Sequence, residues 1–175
     1  MRKLTNNELG RPTIEEYAER EKLPIVVVLD NVRSAQNVGS FFRTADAFGI
    51  EQIALAGITS TPPNREIHKT ALGAELSVAW SYYPTTLECV QRLRKEGYKI
   101  IAIEQIEGAT MLDEFRAASD TKYALVFGNE VEGVDQAIAD IVDGAIEIPQ
   151  VGTKHSLNVS VSAGVLMWEF FRQLR

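Results

Sequence analysis

Residues Ile146 to Glu169 read IEIPQVGTKHSLNVSVSAGVLMWE. The stretch opens as a short β-branched run, breaks at Pro149 and Gly152, crosses polar residues from Thr153 to Asn158 and enters a helix of small residues. Ser156 stands where a helix cap is expected, and the spacing of Ser160, Ala163 and Gly164 permits close backbone packing. Strand, loop and packed helix thus follow one another in 24 residues, which is the building unit of a parallel sheet covered by helices.

The same alternation runs back through the chain. Apolar, β-branched runs predict strands at Ile25 to Leu29, Ile53 to Ala56, Leu76 to Trp80, Lys99 to Ile103, Ala124 to Phe127 and Ala145 to Ile148. Helical spacing predicts helices at Gly39 to Phe48, Arg65 to Leu72, Thr86 to Glu96, Asp135 to Ile141 and Val159 to Leu174. Thr13 and Glu16 have capping-box spacing, so a short helix is expected from Thr13 to about Lys22, with Pro24 closing the segment. No Gly/Ser-rich or Pro-rich linker and no repeat divides the chain. The expectation is an α/β fold, a mostly parallel sheet with helices on both faces, in one domain over residues 23–175 with a helical extension at 1–22.

Composition narrows the chemistry. The 175 residues are 45% hydrophobic and 24% charged, enough for a real core, and the longest apolar run, Leu23 to Leu29, is far below the roughly 20 residues of a membrane span. No secretory segment follows the charged N-terminus, so a cytoplasmic location is expected. Cys89 is the only cysteine and His68 and His155 the only histidines, which excludes an internal disulfide, a Cys/His zinc site and a Cys/His hydrolase; no metal is expected. Net charge is −6, with ten acidic residues against Arg116 and Lys122 between Glu104 and Asp143. Nucleic acid would have to be held locally, away from that segment.

Absent motifs exclude more. The loop after the first strand, DNVRSAQNVGS, holds only Gly39, so the dinucleotide-binding fingerprint fails; a phosphate loop and a nucleophile elbow are missing as well. Three segments nevertheless carry dense polarity at strand ends, where open α/β sheets bind ligands. LDNVRSAQNVGSFFRTADAFG places Asn31, Arg33, Ser34, Gln36, Asn37, Ser40 and Arg43 in thirteen residues, with Asn37 and Ser40 able to cap the coming helix. Arg43 lies six residues beyond Asn37 and faces partly away from it on a helix that begins there. YALVFGNEVEGVD sets Gly128, Asn129, Glu130 and Gly133 directly after a buried strand, and IEIPQVGTKHSLNVSVSAGVLMWE is the third.

In order and spacing these segments resemble the SpoU/TrmH branch of the SPOUT RNA methyltransferases. That family's motifs look like N-x-G-x-x-x-R, G-x-E-x-x-G and I-P-x-x-G-x-x-x-S-L-N-V-S-x-A; here they stand as NVGSFFR, GNEVEG and IPQVGTKHSLNVSVSA. The resemblance runs from about Leu23 to Leu174. It implies a SPOUT-type fold with a deep C-terminal trefoil knot, a homodimer, S-adenosylmethionine as cofactor, no metal, and methylation of a ribose 2′-hydroxyl in tRNA or rRNA. A knot is an exception to the general rule of chain topology and rests wholly on the resemblance.

Mapped by motif, the implied catalytic residues are Asn37, Arg43, Glu130, Ser156 and Asn158, and the implied cofactor-binding residues are Ile103, Glu104, Phe127, Gly128, Ile148, Pro149, Ser156 and Leu157. Backbone at Gly128, Ile148 and Leu157 would hold the cofactor, with Glu104 on the adenosine side. A ribose hydroxyl is a poor nucleophile until it loses its proton. The family's arginine is usually given the role of base, but a guanidinium with a pKa above roughly 12 stays charged. Arg43 is therefore read as the cation that fixes the adjacent phosphate and stabilises the developing alkoxide, the phosphate or a neighbouring group taking the proton. Glu130 has a plainer alternative as a backbone-bonding turn residue, and Asn158 as a helix cap. His155 reads as a solvated loop residue. Arg65, His68 and Lys69 read as an exposed stretch able to touch RNA or as a solvated helix face, Arg172 and Arg175 as positive charge near the dimer's site, and Leu166, Phe170 and Leu174 as core or dimer interface. The rival readings are a non-catalytic RNA-binding protein on the same scaffold, a base-methylating relative, and a small-molecule methyltransferase.

Overall fold

The computed structural model describes every residue except Asn6, and at Asn7 the backbone. After a 3₁₀ turn at Asn7–Leu9 the elements run α1 (Ile14–Glu19), β1 (Leu23–Asp30), α2 (Ala35–Phe48), β2 (Ile50–Ala56), α3 (Arg65–Ala71), α4 (Ala74–Ser77), β3 (Ala79–Tyr83) and α5 (Thr86–Lys95). They continue β4 (Tyr98–Ile103), β5 (Thr110–Met111), β6 (Lys122–Phe127), α6 (Gln136–Ala139), β7 (Gly144–Glu147) and α7 (Val159–Leu174). The seven strands form one sheet in the order β3-β2-β1-β6-β4-β7-β5, and every pairing is parallel.

Burial explains the continuous apolar runs. In β1, Ile25, Val27 and Leu29 enter a core shared with Phe41 and Phe42 of α2 and Leu166 and Phe170 of α7. The alternate residues Val26 and Val28 enter a second core with Cys89, Val90 and Leu93 of α5. Both faces of the sheet are covered, so a strand without polar alternation is the expected sequence. Leu166 and Phe170 are fully buried, which makes that stripe core, with Leu174 packed against it.

Boundaries differ from the sequence reading in informative places. Pro24 does not close a helix: α1 ends at Glu19, and Pro24 lies inside β1, where the pairing with β2 slips between Leu23 and Val26. Proline has no N–H for the ladder, so it sits where the register is already broken. The third strand is Ala79–Tyr83 rather than Leu76 to Trp80, because Ala74–Ser77 forms a helical turn on Gly73, whose φ is 97°. The predicted capping box is present at Thr13 and Glu16, and Tyr17 anchors α1 to the body through its hydroxyl to the Asp46 carbonyl at 3.1 Å. No helix among the described residues is long and apolar enough to cross a membrane.

Adjacent β1 and β6 lead to opposite sides: β1 to α2 on one face, β6 to α6, whose Ile138 packs in the α5 core, on the other. Their carboxyl ends therefore open a crevice, the usual place for a ligand in an open α/β sheet.

Candidate active site

Three loops meet at that crevice, after β1, β6 and β7. The first is held by Asp30, a 1% exposed carboxylate at the end of β1. It accepts from Thr86 Oγ1 at 2.5 Å, Asn31 Nδ2 at 2.8 Å and the Asp135 N–H at 3.0 Å. A buried charge needs such donors. Asn31 adopts φ 55°, and its Oδ1 accepts the Ile58 N–H, which fixes the turn into α2. Ser34, not Asn37 or Ser40, caps α2 by accepting the Asn37 N–H. The cap frees the Asn37 side chain for a longer-range role.

That role is visible in a chain of hydrogen bonds. Glu130 accepts the N–H groups of Arg33 and Ser34, each at 3.0 Å, and the Asn37 amide N–H at 2.8 Å. Asn37 Oδ1 in turn accepts from Asn158 Nδ2 at 3.3 Å. Asn158 caps α7, its Oδ1 taking the N–H of Ser160 at 2.9 Å and the Ser160 hydroxyl at 2.6 Å. Each amide has only one orientation that satisfies its neighbours, because a carboxylate fixes one end and helix N–H groups the other. Partial burial pushes the Glu130 carboxyl up, but the Arg33 N–H, the Asn37 amide and the Ser34 N–H outweigh it and leave the group below the usual carboxylate range. The plainer readings of Glu130 and Asn158 are the ones the geometry shows: one bonds backbone, the other caps a helix, and Asn37 joins the two.

The turn carrying Glu130 is closed by paired backbone bonds between Asn129 and Gly133, at 3.0 and 3.1 Å, while Asn129 Oδ1 accepts the N–H groups of Val131 and Glu132. Gly128 is required by this turn, since a Cβ there would lie 1.9 Å from the Gly133 carbonyl carbon and 2.0 Å from the Val134 nitrogen. Gly133, at φ 73°, has Glu104 Oε2 2.2 Å from where its Cβ would be, and that oxygen accepts the Val134 N–H.

Beside the network lies a cavity of about 510 Å³ lined by residues of the loops after β4, β6 and β7 and by the start of α7. Ile103, Glu104, Phe127, Gly128, Glu130, Ile148, Ser156, Leu157 and Asn158 all line it. Pro149 is exposed and is not part of the lining, and neither Asn37 nor Arg43 reaches it. Its lining mixes apolar residues (Ile103, Phe127, Ile146, Ile148, Leu157 and Val159) with polar ones, and this mixture and its volume suit a cofactor with an apolar body and polar ends. The sequence reading missed the backbone donors Arg33 and Ser34 and the place of Ser160 and Ser162. Only DN after a buried strand and the serines of NVSVS signalled them. His155 is exposed as expected, yet stands on the cavity wall.

Arg43 is exposed on α2 and has no hydrogen-bond or ion-pair partner among the described residues. His68 and Lys69 are engaged by Glu75 and Glu66, each at 2.5 Å, and Arg172 by Glu169. Burial, with Asp30 and Glu96 nearby, pushes the Cys89 thiol up to about 12, so it is no nucleophile. No group of three or more His, Cys, Asp or Glu side chains among the described residues is placed to hold a metal ion.

Residues 24–168 match the SpoU rRNA Methylase family. A tRNA (guanosine(18)-2′-O)-methyltransferase of Thermus thermophilus is 34% identical over 95% of this chain and 84% of its own length. A Staphylococcus haemolyticus protein assigned to the TrmH family of tRNA/rRNA methyltransferases is 31% identical over 91% of this chain, which spans only 63% of that relative's length. Among solved structures, the A. aeolicus TrmH/SpoU tRNA modifying enzyme superposes with a TM-score of 0.80 at 26% identity, covering 91% of this chain and 80% of the other. An AdoMet-bound rRNA methyltransferase from Sinorhizobium meliloti gives the same TM-score and identity over 91% of this chain and 60% of its own.

Proposed function

The chain belongs to the SpoU rRNA methylase family, and on that premise we propose that it transfers a methyl group from S-adenosylmethionine to a ribose 2′-hydroxyl of tRNA or rRNA. The observation that carries this reading is the meeting, at one crevice, of a cavity of cofactor size with the Glu130–Asn37–Asn158 network. The Thermus relative and the AdoMet-bound Sinorhizobium structure support it. Residues 23–175 are read as one methyltransferase domain with a deep C-terminal trefoil knot and 1–22 as an extension, in a cytoplasmic protein.

When bound, the cofactor supplies an activated methyl on a sulfonium. The protein's part is to place the hydroxyl and stabilise charge. Glu130 is a poor base, because its two oxygens already accept three N–H groups and these hold its carboxyl below the usual carboxylate range. Its work is to hold the Asn37 amide, which orients Asn158 on the cavity wall. One amide N–H of Asn158 is used by Asn37; the other is available to a ligand oxygen. Arg43 supplies the positive charge that lowers the cost of the alkoxide.

Since Arg43 stands outside this chain's own cavity, the reading includes a homodimer in which the exposed faces of α2 and α7 meet a second copy. Val161, Val165 and Trp168 give α7 an exposed apolar stripe, at 52%, 37% and 51%. Trp168 continues into the rings of Phe48 and Phe171. A stripe of that kind on a helix is a contact surface in search of a partner. Sedimentation should report about twice 19.4 kDa, and calorimetry should detect S-adenosylmethionine binding. A monomer would remove the shared site, and absence of cofactor binding would favour a non-catalytic scaffold.

A further inference from the structure

Seven serine and threonine residues lie within the α-helices. Ser40, Thr44, Thr70 and Ser77 donate to carbonyls one turn back, at 2.9 to 3.3 Å. Thr86 reaches Asp30, and Ser160 reaches the cap oxygen of Asn158. Ser162 alone has no partner for its hydroxyl among the described residues. The carbonyl that would serve it, that of Asn158, takes the backbone N–H of Ser162 at 2.9 Å but not the hydroxyl. A helical serine either closes such a back-bond or turns its hydroxyl outward, so this side chain turns outward.

Its direction follows from burial. Every buried side-chain nitrogen and oxygen among the described residues has a partner, so an unpartnered Ser162 Oγ retains accessible surface. Ser162 is half-buried at the start of α7 and lines the 510 Å³ cavity. The same lining includes the apolar Phe127, Ile146, Ile148 and Val159 and the polar Glu104, Ser156 and Asn158. An unpartnered hydroxyl on a cavity wall is the kind of group that fixes a ligand's orientation. The third motif pattern quoted above has alanine at this place, so the hydroxyl is an addition of this chain to the pattern.

We propose that Ser162 is a ligand-contacting residue, its hydroxyl exchanging a hydrogen bond with a polar atom of the S-adenosylmethionine held against α7. The proposal rests on the cofactor reading of the cavity. It makes Ser162 a determinant of cofactor affinity rather than of RNA binding or of helix stability.

The test is calorimetric titration of S-adenosylmethionine into the wild-type protein and Ser162→Ala, with ligand-free melting temperatures and the KM for RNA at saturating cofactor. Loss of one neutral hydrogen bond corresponds to about fivefold in affinity. Ser162→Ala should bind cofactor about fivefold more weakly, melt no lower without ligand because alanine is the better helix former, and keep its KM for RNA. Affinity within twofold of wild type, or a loss accompanied by a lower ligand-free melting temperature, overturns the proposal. Failure of the cofactor reading is separately visible, as absent binding by the wild type itself.

Discussion

Two loops flank the same cavity and are held in opposite ways. The turn from Asn129 to Gly133 is bound to itself by a pair of backbone bonds and by the Asn129 side chain, and to the loop after β1 by three hydrogen bonds to Glu130. The loop from Gln150 to Leu157 makes no hydrogen bond among the described residues, and every residue in it is exposed. One wall of the site is therefore built before the ligand arrives. The other is not pinned to the body by hydrogen bonds among the described residues, and the difference separates a wall held by its own contacts from one free to adjust.

The substitution able to break this division is Arg43→Ala, because Arg43 belongs to neither loop. Methyl transfer should fall by about a thousandfold, the scale of a lost charge-stabilising donor, while cofactor affinity stays within twofold. Activity near wild type would mean that the two loops suffice.

Next in size is Gly128→Ala. The new Cβ would fall about 2 Å from backbone atoms of Gly133 and Val134, so the turn must move, at a cost of roughly 3 kcal/mol or more. Melting and calorimetry should show lower stability and lost cofactor binding together. Gly152→Ala, in the unpinned loop, is the control, since nothing lies within 4 Å of its added Cβ. Its stability should change by less than about 0.5 kcal/mol.

Glu130→Gln lies between these. It keeps an acceptor oxygen but turns an N–H toward a donor, and should cost on the order of 1 kcal/mol in stability together with a marked loss of transfer. It also alters the acid limb. The folded carboxyl sits below its ordinary value, near 4.3 in an unfolded chain, so its stabilising contribution is full above that value. The contribution disappears as pH falls through the lower folded value. Acid unfolding of Glu130→Gln should lack that component, and an unchanged acid limb would remove the carboxylate from the wall's support.

Much of this was legible from sequence because burial on both faces leaves a plain signature. Runs such as IVVVL and ALVF have nowhere to sit except inside a covered parallel sheet. The third strand differs because LSVAW is apolar but for Ser77, and hydrophobicity alone does not say that its first residues complete a helical turn behind Gly73. The two-residue β5 is too short to leave any pattern. In the site, spacing turned Arg43 partly away from Asn37 on a helix beginning there, and the helix begins earlier, at Ala35, with Arg43 exposed. What spacing had no means of giving was the join of Asn37 to Asn158 across 121 residues, or the reason for Gly128, which lies in the backbone it approaches.

Methylation of the ribose leaves a chemical mark on the product that can be measured directly. A 2′-O-methyl group blocks alkaline cleavage of the adjoining phosphodiester, because the attacking hydroxyl is gone. Purified protein should be given radiolabelled S-adenosylmethionine and RNA lacking its own modifications, and the RNA then hydrolysed in alkali. The account predicts label in alkali-stable dinucleotides that yield a 2′-O-methylnucleoside on further digestion. Label confined to mononucleotides carrying a methylated base, or no incorporation by a protein that also fails to bind the cofactor, would contradict it.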